Sequence, residues 1–253
     1  MPRHVARQGD TLKDIAKKYK INLNNLTIAN THLENPEQLK SGDVLYIPDC
    51  SDGTFCPIEA RSLKPQLLSM MGFSPRQIQE HYKIYQSYIT KTNEVRMKLR
   101  SIDMQGSNSI HSSYRSLKID ESQTVANGKL HEMYFDNLGG NGRTAIGKVL
   151  EIIVKDFGSY EFWERDFRST GLASQGWVIL GYDFDDCHLH NYTQGAPDVV
   201  PIVRFEPLLV LDVCEHAYFL DYGTNRNSYI DAFFRNIDWY TVNSRLQNLK
   251  STY

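Results

Sequence analysis

In one stretch of this 253-residue chain, a hydrophobic run is followed by residues of types that commonly bind metal ions. The apolar run from Pro207 to Val213 contains Asp212, and His216 follows four residues later. A short apolar run that begins at a proline is typical of a buried β-strand, and helical periodicity begins at Glu215. The pattern predicts Asp212 at a strand end and His216 in the first turn of a helix. From these positions a carboxylate and an imidazole can bind one ion.

The sequence Asp-Val-Cys-Glu-His-Ala-Tyr, which begins at Asp212, resembles the iron/manganese superoxide dismutases. In that family this segment supplies two of four protein ligands. The resemblance implies His81 and His131 as the other two, each on a long helix, and it extends from about Leu67 to Leu246. A lone histidine is more often a hydrogen-bonded core or surface residue, and a lone aspartate is often a helix cap. The four residues in family order reverse that preference.

Three imidazoles and one carboxylate, without a thiolate, suit iron or manganese. The resemblance places Tyr88 in the substrate channel and Trp177 against the site. Gln194 falls where manganese enzymes hold the glutamine that bonds the bound solvent, whereas the iron-type position, four residues before His131, is Asn127. This favours manganese, with the alternative that Gln194 is an ordinary loop residue.

The spacing from His81 to Tyr88 is seven residues, where the family usually has eight. Seven residues at about 100° each return within roughly 20° of the same helix face. Loss of one residue is what removal of a π-bulge would produce, so the metal and the tyrosine can both be retained. Because superoxide is an anion, a positive charge near the mouth would speed its capture, and Arg226 is the candidate.

Other positions depart from the family. Phe219 replaces a tyrosine that pairs across the dimer, and Cys214 replaces the usual tryptophan beside the aspartate. Glu215 is retained, and in the family it reaches the last histidine ligand of the opposite subunit. The resemblance therefore implies a homodimer, with Glu215 and Tyr218 as its dimer-contact and supporting residues.

Composition and charge narrow the possible partners. The formal net charge of −2 and the pI near 6.4 give no bulk attraction to nucleic acid or to an anionic membrane. We find no membrane-spanning apolar run and no signal peptide, so we expect cytoplasmic synthesis. The four cysteines do not form a disulfide framework; Cys50 and Cys56 could be bridged in an oxidising place or remain reduced.

Residues 1–49 form a separate unit with the order strand, helix, helix, strand. Gly-Asp-Thr-Leu-x-x-Ile-Ala begins at Gly9, and Gly-Asp-x-Leu-Tyr-Ile-Pro begins at Gly42. Both motifs resemble a LysM module, a family that binds N-acetylglucosamine-containing glycans such as peptidoglycan or chitin. The resemblance implies a groove formed by five residues: Gly9, Asp10, Thr11, Asn30 and Leu39. Alternatively, the glycines serve turns, Thr11 caps a helix and Leu39 belongs to the core.

The whole chain is expected to have an α+β fold. A LysM domain at 1–49 and a linker at 50–66 precede a helical hairpin at 67–139 and a mixed α/β domain at 140–253. The hairpin helices are predicted at 67–100 and at 119–137, separated by a loop over 101–118. The first helix is expected to break near Gly72, where Ser74 can cap the following helix and Pro75 can take its first turn.

The expected function is a metal-dependent superoxide dismutase that converts two superoxide ions and two protons into oxygen and hydrogen peroxide. It would carry one manganese or iron ion per subunit and lie on cell-wall or spore glycan. The alternative is a structural coat or wall protein that retains the fold mainly for assembly. The absence of a signal peptide beside a glycan-binding module suggests a spore coat by analogy.

Overall fold

The computed structural model describes residues 3–19, 21, 23–28, 30, 33, 38–47, 57–195 and 202–249. The chain divides into two compact units, one containing Met1–Ile58 and the other containing Glu59–Val95 and Ile102–Tyr253. Cys50 and Cys56, with residues 50–56 of the predicted linker, lie outside the described residues. None of the helices in the described part has both the length and the apolar run that a membrane span requires.

The first unit is a small two-stranded sheet with two helices. Strand β1 (Arg3–Val5) pairs antiparallel with β2 (Val44–Tyr46), and α1 (Leu12–Tyr19) and α2 (Leu23–Ile28) lie between them in sequence. Thr11 accepts a hydrogen bond from the Asp14 amide at 3.1 Å and so caps α1. The apolar face of α1 packs into a core with Leu26 and Leu45. The predicted order of elements is confirmed.

The second unit begins with a helical hairpin. A 3₁₀ turn (Pro65–Ser69) precedes α3 (Pro75–Ser101), and α4 spans Ser113–Asp136. Ser74 caps α3 by accepting from the Gln77 amide, with Pro75 in the first turn, as the sequence predicts. The predicted loop over 101–118 is too long, because Ser112 accepts from the Arg115 amide and starts α4 six residues before the expected 119.

Three antiparallel strands follow the helices α5 (Gly147–Phe157) and α6 (Tyr160–Ala173). The strands β3 (Trp177–Asp183), β4 (Leu189–Gln194) and β5 (Phe205–Asp212) have the order β4-β3-β5. Strand β5 starts earlier than predicted and includes Pro207, which pairs with Gly181 where the register shifts. Proline has no N–H to donate, and an edge strand with an irregularity tolerates it.

Three helices complete the unit: α7 (Phe219–Tyr222), α8 (Arg226–Phe234) and α9 (Trp239–Leu249). Their apolar faces join the hairpin and the sheet in one core. Gly140 and Gly142 allow the chain after α4 to lie against the backbone of 235–238, because a Cβ atom at either position would stand 2.2 Å from a backbone atom.

A single buried amide joins α4 to the free edge of β5. Asn137 accepts from the Val210 amide at 2.9 Å and donates to the Val210 carbonyl at 3.2 Å. The same side chain donates to the Tyr134 carbonyl at 3.1 Å. The backbone N–H and C=O of Val210, at the free edge of the strand that carries Asp212, therefore bond a side chain instead of another strand.

We predict that Asn137→Ala lowers the free energy of unfolding by about 2–3 kcal/mol, because it leaves the buried Val210 N–H and C=O without a partner. Denaturant unfolding measures this. The control is Asn141→Ala at an exposed position in the following loop, which should change stability by less than about 0.5 kcal/mol. Equal losses in both variants would contradict this assignment.

Candidate metal centre

The four residues implied as ligands converge at one point. His81 comes from α3, His131 from α4, Asp212 from the end of β5 and His216 from the 3₁₀ turn that follows (Glu215–Ala217). One donor atom of each lies within 4.8 Å of the other three. The Asp212 Oδ2 atom is 3.0 Å from His81 Nε2, 3.0 Å from His216 Nε2 and 3.6 Å from His131 Nε2.

Burial and mutual contact set the charges of this cluster. Burial lowers the pKa of His81, and it lowers the pKa of His131 to about 4, so both imidazoles favour the neutral form that can bind a metal. Burial alone would raise the pKa of Asp212, but hydrogen bonds from His216 and His81 outweigh it and lower that pKa. Burial alone would lower the pKa of His216, but its hydrogen bond to Asp212 outweighs this and raises that pKa. The site therefore offers a cation a carboxylate and, from His81 and His131, neutral imidazole lone pairs.

The hydrogen bonds of His131 show which nitrogen is available. Its Nδ1 atom donates to the Asn127 carbonyl at 2.7 Å, which fixes the tautomer and leaves Nε2 as the acceptor. This Nε2 atom is buried and has no hydrogen-bond partner. Donor atoms that bind one ion at about 2.0–2.2 Å stand about 3–4 Å from each other. The Asp212 Oδ2 atom stands at such distances from the three imidazole nitrogens. The residues fit an iron or manganese ion.

Aromatic rings enclose the cluster. The Trp177 ring meets the His131 ring edge-on at 4.8 Å, and the Tyr88 ring lies 5.2 Å from it. Helix α3 runs without interruption past both His81 and Tyr88, so the seven-residue spacing needs no bulge. Burial, with the nearby Cys214 and Asp212, raises the pKa of Tyr88, so its hydroxyl keeps its proton.

The strand register positions Gln194. Trp177 on the central strand is opposite Gln194 on β4 and opposite Asp212 on β5. Residues directly opposite each other in antiparallel strands point to the same face of the sheet. Gln194 therefore lies in a strand, on the same face of the sheet as Asp212. The Asn127 side chain is engaged elsewhere: it accepts a hydrogen bond from Trp177 Nε1 at 3.2 Å and donates one to the Gln123 carbonyl.

A second network, which the sequence does not reveal, links the two ligand helices. Tyr85, one turn after His81, donates to Glu132 at 3.1 Å and accepts from the Arg61 amide at 3.0 Å. Arg61 also forms a 2.7 Å ion pair with Glu132, the neighbour of His131. The only sequence signals were a tyrosine four residues after one ligand and a glutamate beside the other.

Arg226 is half-buried and serves the fold. Its guanidinium donates to the Ser174 carbonyl at 2.8 Å and to the Tyr218 hydroxyl at 3.2 Å. Tyr218 is buried and stacks on Tyr229, whose hydroxyl donates to the Asp212 carbonyl. The capture role of Arg226 stays a prediction. Glu215 is exposed, in agreement with a residue that is free to reach another subunit.

The five residues predicted to bind glycan have different environments. The backbone of Gly9 has a φ of 91°, which a turn requires, and Thr11 caps α1. Asp10 accepts from the Arg7 amide and contacts His4 Nε2 at 3.1 Å, while Leu39 packs partly against the core. The Asn30 side chain is 1% exposed and bonds the Leu26 carbonyl and both polar groups of the Tyr46 backbone. Its contact with glycan stays a prediction.

Comparisons with known proteins agree with both units. Residues 145–245 match the model for the C-terminal domain of iron/manganese superoxide dismutases, and residues 4–48 match the LysM domain. "Superoxide dismutase [Fe]" of Aquifex aeolicus is 36% identical over 196 residues, covering 76% of this chain and 91% of the relative. The protein of the same name from Aquifex pyrophilus is 37% identical with the same coverage. The chain belongs to the iron/manganese superoxide dismutase family.

A further relative, "Superoxide dismutase [Mn]" of Haloarcula marismortui, is 40% identical over 111 residues, or 44% of this chain and 55% of the relative. Relatives named for either metal therefore match this chain. Membership in the family agrees with the donor set: a buried carboxylate, three imidazoles and no thiolate among the four converging residues.

We predict that metal removal destabilises the second unit. A ligand that binds only the folded state stabilises it by about 4 kcal/mol when its free concentration is about 1,000 times Kd. Thermal unfolding, measured first with a chelator and then with added manganese, should show this stabilisation as a higher melting temperature with the metal. It should vanish in His131→Ala and persist in His111→Ala, an exposed histidine of the α3–α4 loop. A metal-independent melting temperature in the unsubstituted protein would contradict the site.

Proposed function

We propose that this protein is a metal-dependent superoxide dismutase that its N-terminal unit holds on cell-wall or spore glycan. The observation that carries the enzymatic part is the convergence of His81, His131, Asp212 and His216, three of them fully buried, with the buried Nε2 atom of His131 left without a hydrogen-bond partner. The reaction converts two superoxide ions and two protons into oxygen and hydrogen peroxide.

A bound iron or manganese ion supplies the one-electron chemistry that this reaction needs. The protein supplies the charge and the protons. Asp212 stays ionised and offsets the charge of a cation, while Tyr229 holds the strand end in place by donating to the Asp212 carbonyl. Tyr88 keeps a proton on its hydroxyl, where it can be donated to a reduced oxygen species. The rings of Trp177 and Tyr88 limit access of water.

We propose manganese as the preferred ion. Gln194 lies on the face of the sheet that carries Asp212, as expected for the residue that bonds the bound solvent in manganese enzymes. Asn127 in the iron-type position is one methylene shorter than glutamine and already bonds Trp177. Iron in the names of the Aquifex relatives is the competing indication, and metal analysis after reconstitution with each ion separates the two.

We expect the manganese-loaded protein to remove superoxide, and we expect Tyr88→Phe to lower turnover by about tenfold or more while leaving the metal content unchanged. Stopped-flow decay of superoxide and elemental analysis of the same samples measure both quantities. Tyr82→Phe is the matched control, because that hydroxyl on the same helix donates to the Arg61 carbonyl. Protein that binds neither metal, or binds it without activity, would instead favour the structural role in a coat or wall.

The glycan part of the proposal rests on the LysM match over residues 4–48 and on a unit with its own core. The two units have separate hydrophobic cores, so glycan binding and dismutation use different parts of the chain. The resulting location would be peptidoglycan or chitin, in a cell wall or a spore coat.

We predict that the full chain is retained on insoluble peptidoglycan or chitin and that residues 59–253 alone are retained at least about tenfold less, because the truncation removes the unit that matches the LysM domain. The truncation begins at Glu59 because the neighbouring Arg61 bonds α4 and belongs to the second unit. Pull-down followed by quantification of bound protein measures it. Equal retention of both chains would reject tethering by the first unit.

We also propose a homodimer. Glu215, Phe219 (54% exposed) and Leu220 (52% exposed) present a carboxylate and two large apolar side chains beside His216. Exposed apolar side chains grouped next to a functional residue favour a protein interface. A glutamate from the partner subunit that accepts from the free ring nitrogen of His216 would orient this ligand.

Glu215→Ala should therefore weaken the dimer and lower metal affinity by about 10–100-fold, since supporting residues of metal ligands have effects of this size. Sedimentation velocity and metal content, measured on the same preparations, give the two results. Glu161→Ala, at an exposed position of α6, is the matched control and should change neither the dimer nor the metal content. A Glu215→Ala protein that stays a fully metallated dimer would exclude the bridge.

A further inference from the structure

A cavity of about 610 Å³ opens on the second unit and contains none of the four converging ligand residues. Its walls come from α4, from α9 and from Arg61 in the segment before the first 3₁₀ turn. The volume lies within the range of about 300–1,000 Å³ that is usual for small-molecule sites. The cavity is therefore large enough for one or two sugar rings.

One wall of the cavity is an aromatic face on α9. Tyr240 is 77% exposed and lines the cavity together with Ser244, one helical turn later. Residues four apart lie on the same face of a helix, so the ring and the hydroxyl point to the same side. Tyrosine offers a large apolar face with a polar tip and little side-chain entropy to lose on binding.

The opposite wall is polar, but its charges are already compensated. Arg61 forms ion pairs of 2.7 Å with both Glu132 and Asp136, and Arg245 in the same lining supplies the second positive charge. These planar groups keep further donor and acceptor positions, since a guanidinium has five N–H donors and a carboxylate about four acceptor positions. A compensated wall does not favour a strongly charged ligand. It suits a neutral ligand with hydroxyl or amide groups on its edges and an apolar ring face.

We propose that this cavity is a second glycan-binding site, which takes an N-acetylated sugar unit with its ring face on Tyr240 and its polar edge on Arg61, Glu132 and Asp136. The choice of glycan rests on the proposed function, because residues 4–48 match a LysM domain and would bring the same polymer to the chain. Two sites on one chain raise retention on a polymer by avidity.

The cavity can be tested on the full chain with a fluorescent reporter. The three tryptophans are 0%, 1% and 3% exposed, so Tyr240→Trp adds an exposed indole with distinct emission. Titration with a soluble chitin oligosaccharide up to about 1 mM should give a saturable blue shift. Phe162→Trp, at another exposed aromatic position (52% exposed), should give none. No saturable change in Tyr240→Trp, or equal changes in both variants, would overturn the proposal.

Retention on insoluble glycan gives a second measurement. Tyr240→Ala should lower the retention of the full chain by about tenfold, and Phe162→Ala should leave it unchanged. Unchanged retention of Tyr240→Ala would count against the cavity. If residues 59–253 are retained as well as the full chain while Tyr240→Trp still titrates, tethering by the first unit fails and the cavity stands.

Discussion

The burial of the Asp212 carboxylate constrains how the helices and strands of the second unit are arranged. An ionised carboxylate is stable in an apolar interior only where charged or donor groups surround it. Asp212 is 0% exposed and has His81 and His216 at 3.0 Å. Two long helices, a strand and a 3₁₀ turn must therefore meet at this point. The same arrangement collects neutral imidazoles next to a negative charge, which is the electrostatic condition for a metal site.

Several contacts outside the ligand set keep these elements in place. Asn137 joins the end of α4 to the outer edge of β5, and Tyr229 donates to the carbonyl of Asp212 itself. Tyr85 and Glu132 link the two helices that carry histidine ligands. The bonds of Asn137 and Tyr229 are buried, and their loss leaves a polar group unpaired, so metal geometry and folding stability depend on the same residues.

The chain combines an enzyme fold with a glycan-binding module, and this changes how its surface is interpreted. For an enzyme in free solution, an exposed tyrosine beside a polar cavity has no evident partner. On a chain that a polymer holds in place, any surface that binds the same polymer adds to retention through effective concentration. Under the two proposals above, the first unit and the Tyr240 cavity would bind glycan, and the exposed Phe219 and Leu220 would contact a second subunit.

The sequence by itself indicated the two families through motifs such as Gly9-Asp10-Thr11 and Asp212 with His216. The resemblance to one of these families then implied the four residues that converge in the structure. It also indicated the Ser74 cap, which depends on neighbouring residues only. The start of α4 was missed because polar residues in an exposed first turn carry little periodicity. Only tertiary structure decided the role of Asn30, the position of Gln194 opposite Trp177 and the bond of Tyr85 to Glu132. These depend on strand register and on contacts between residues far apart in sequence, which no local pattern records.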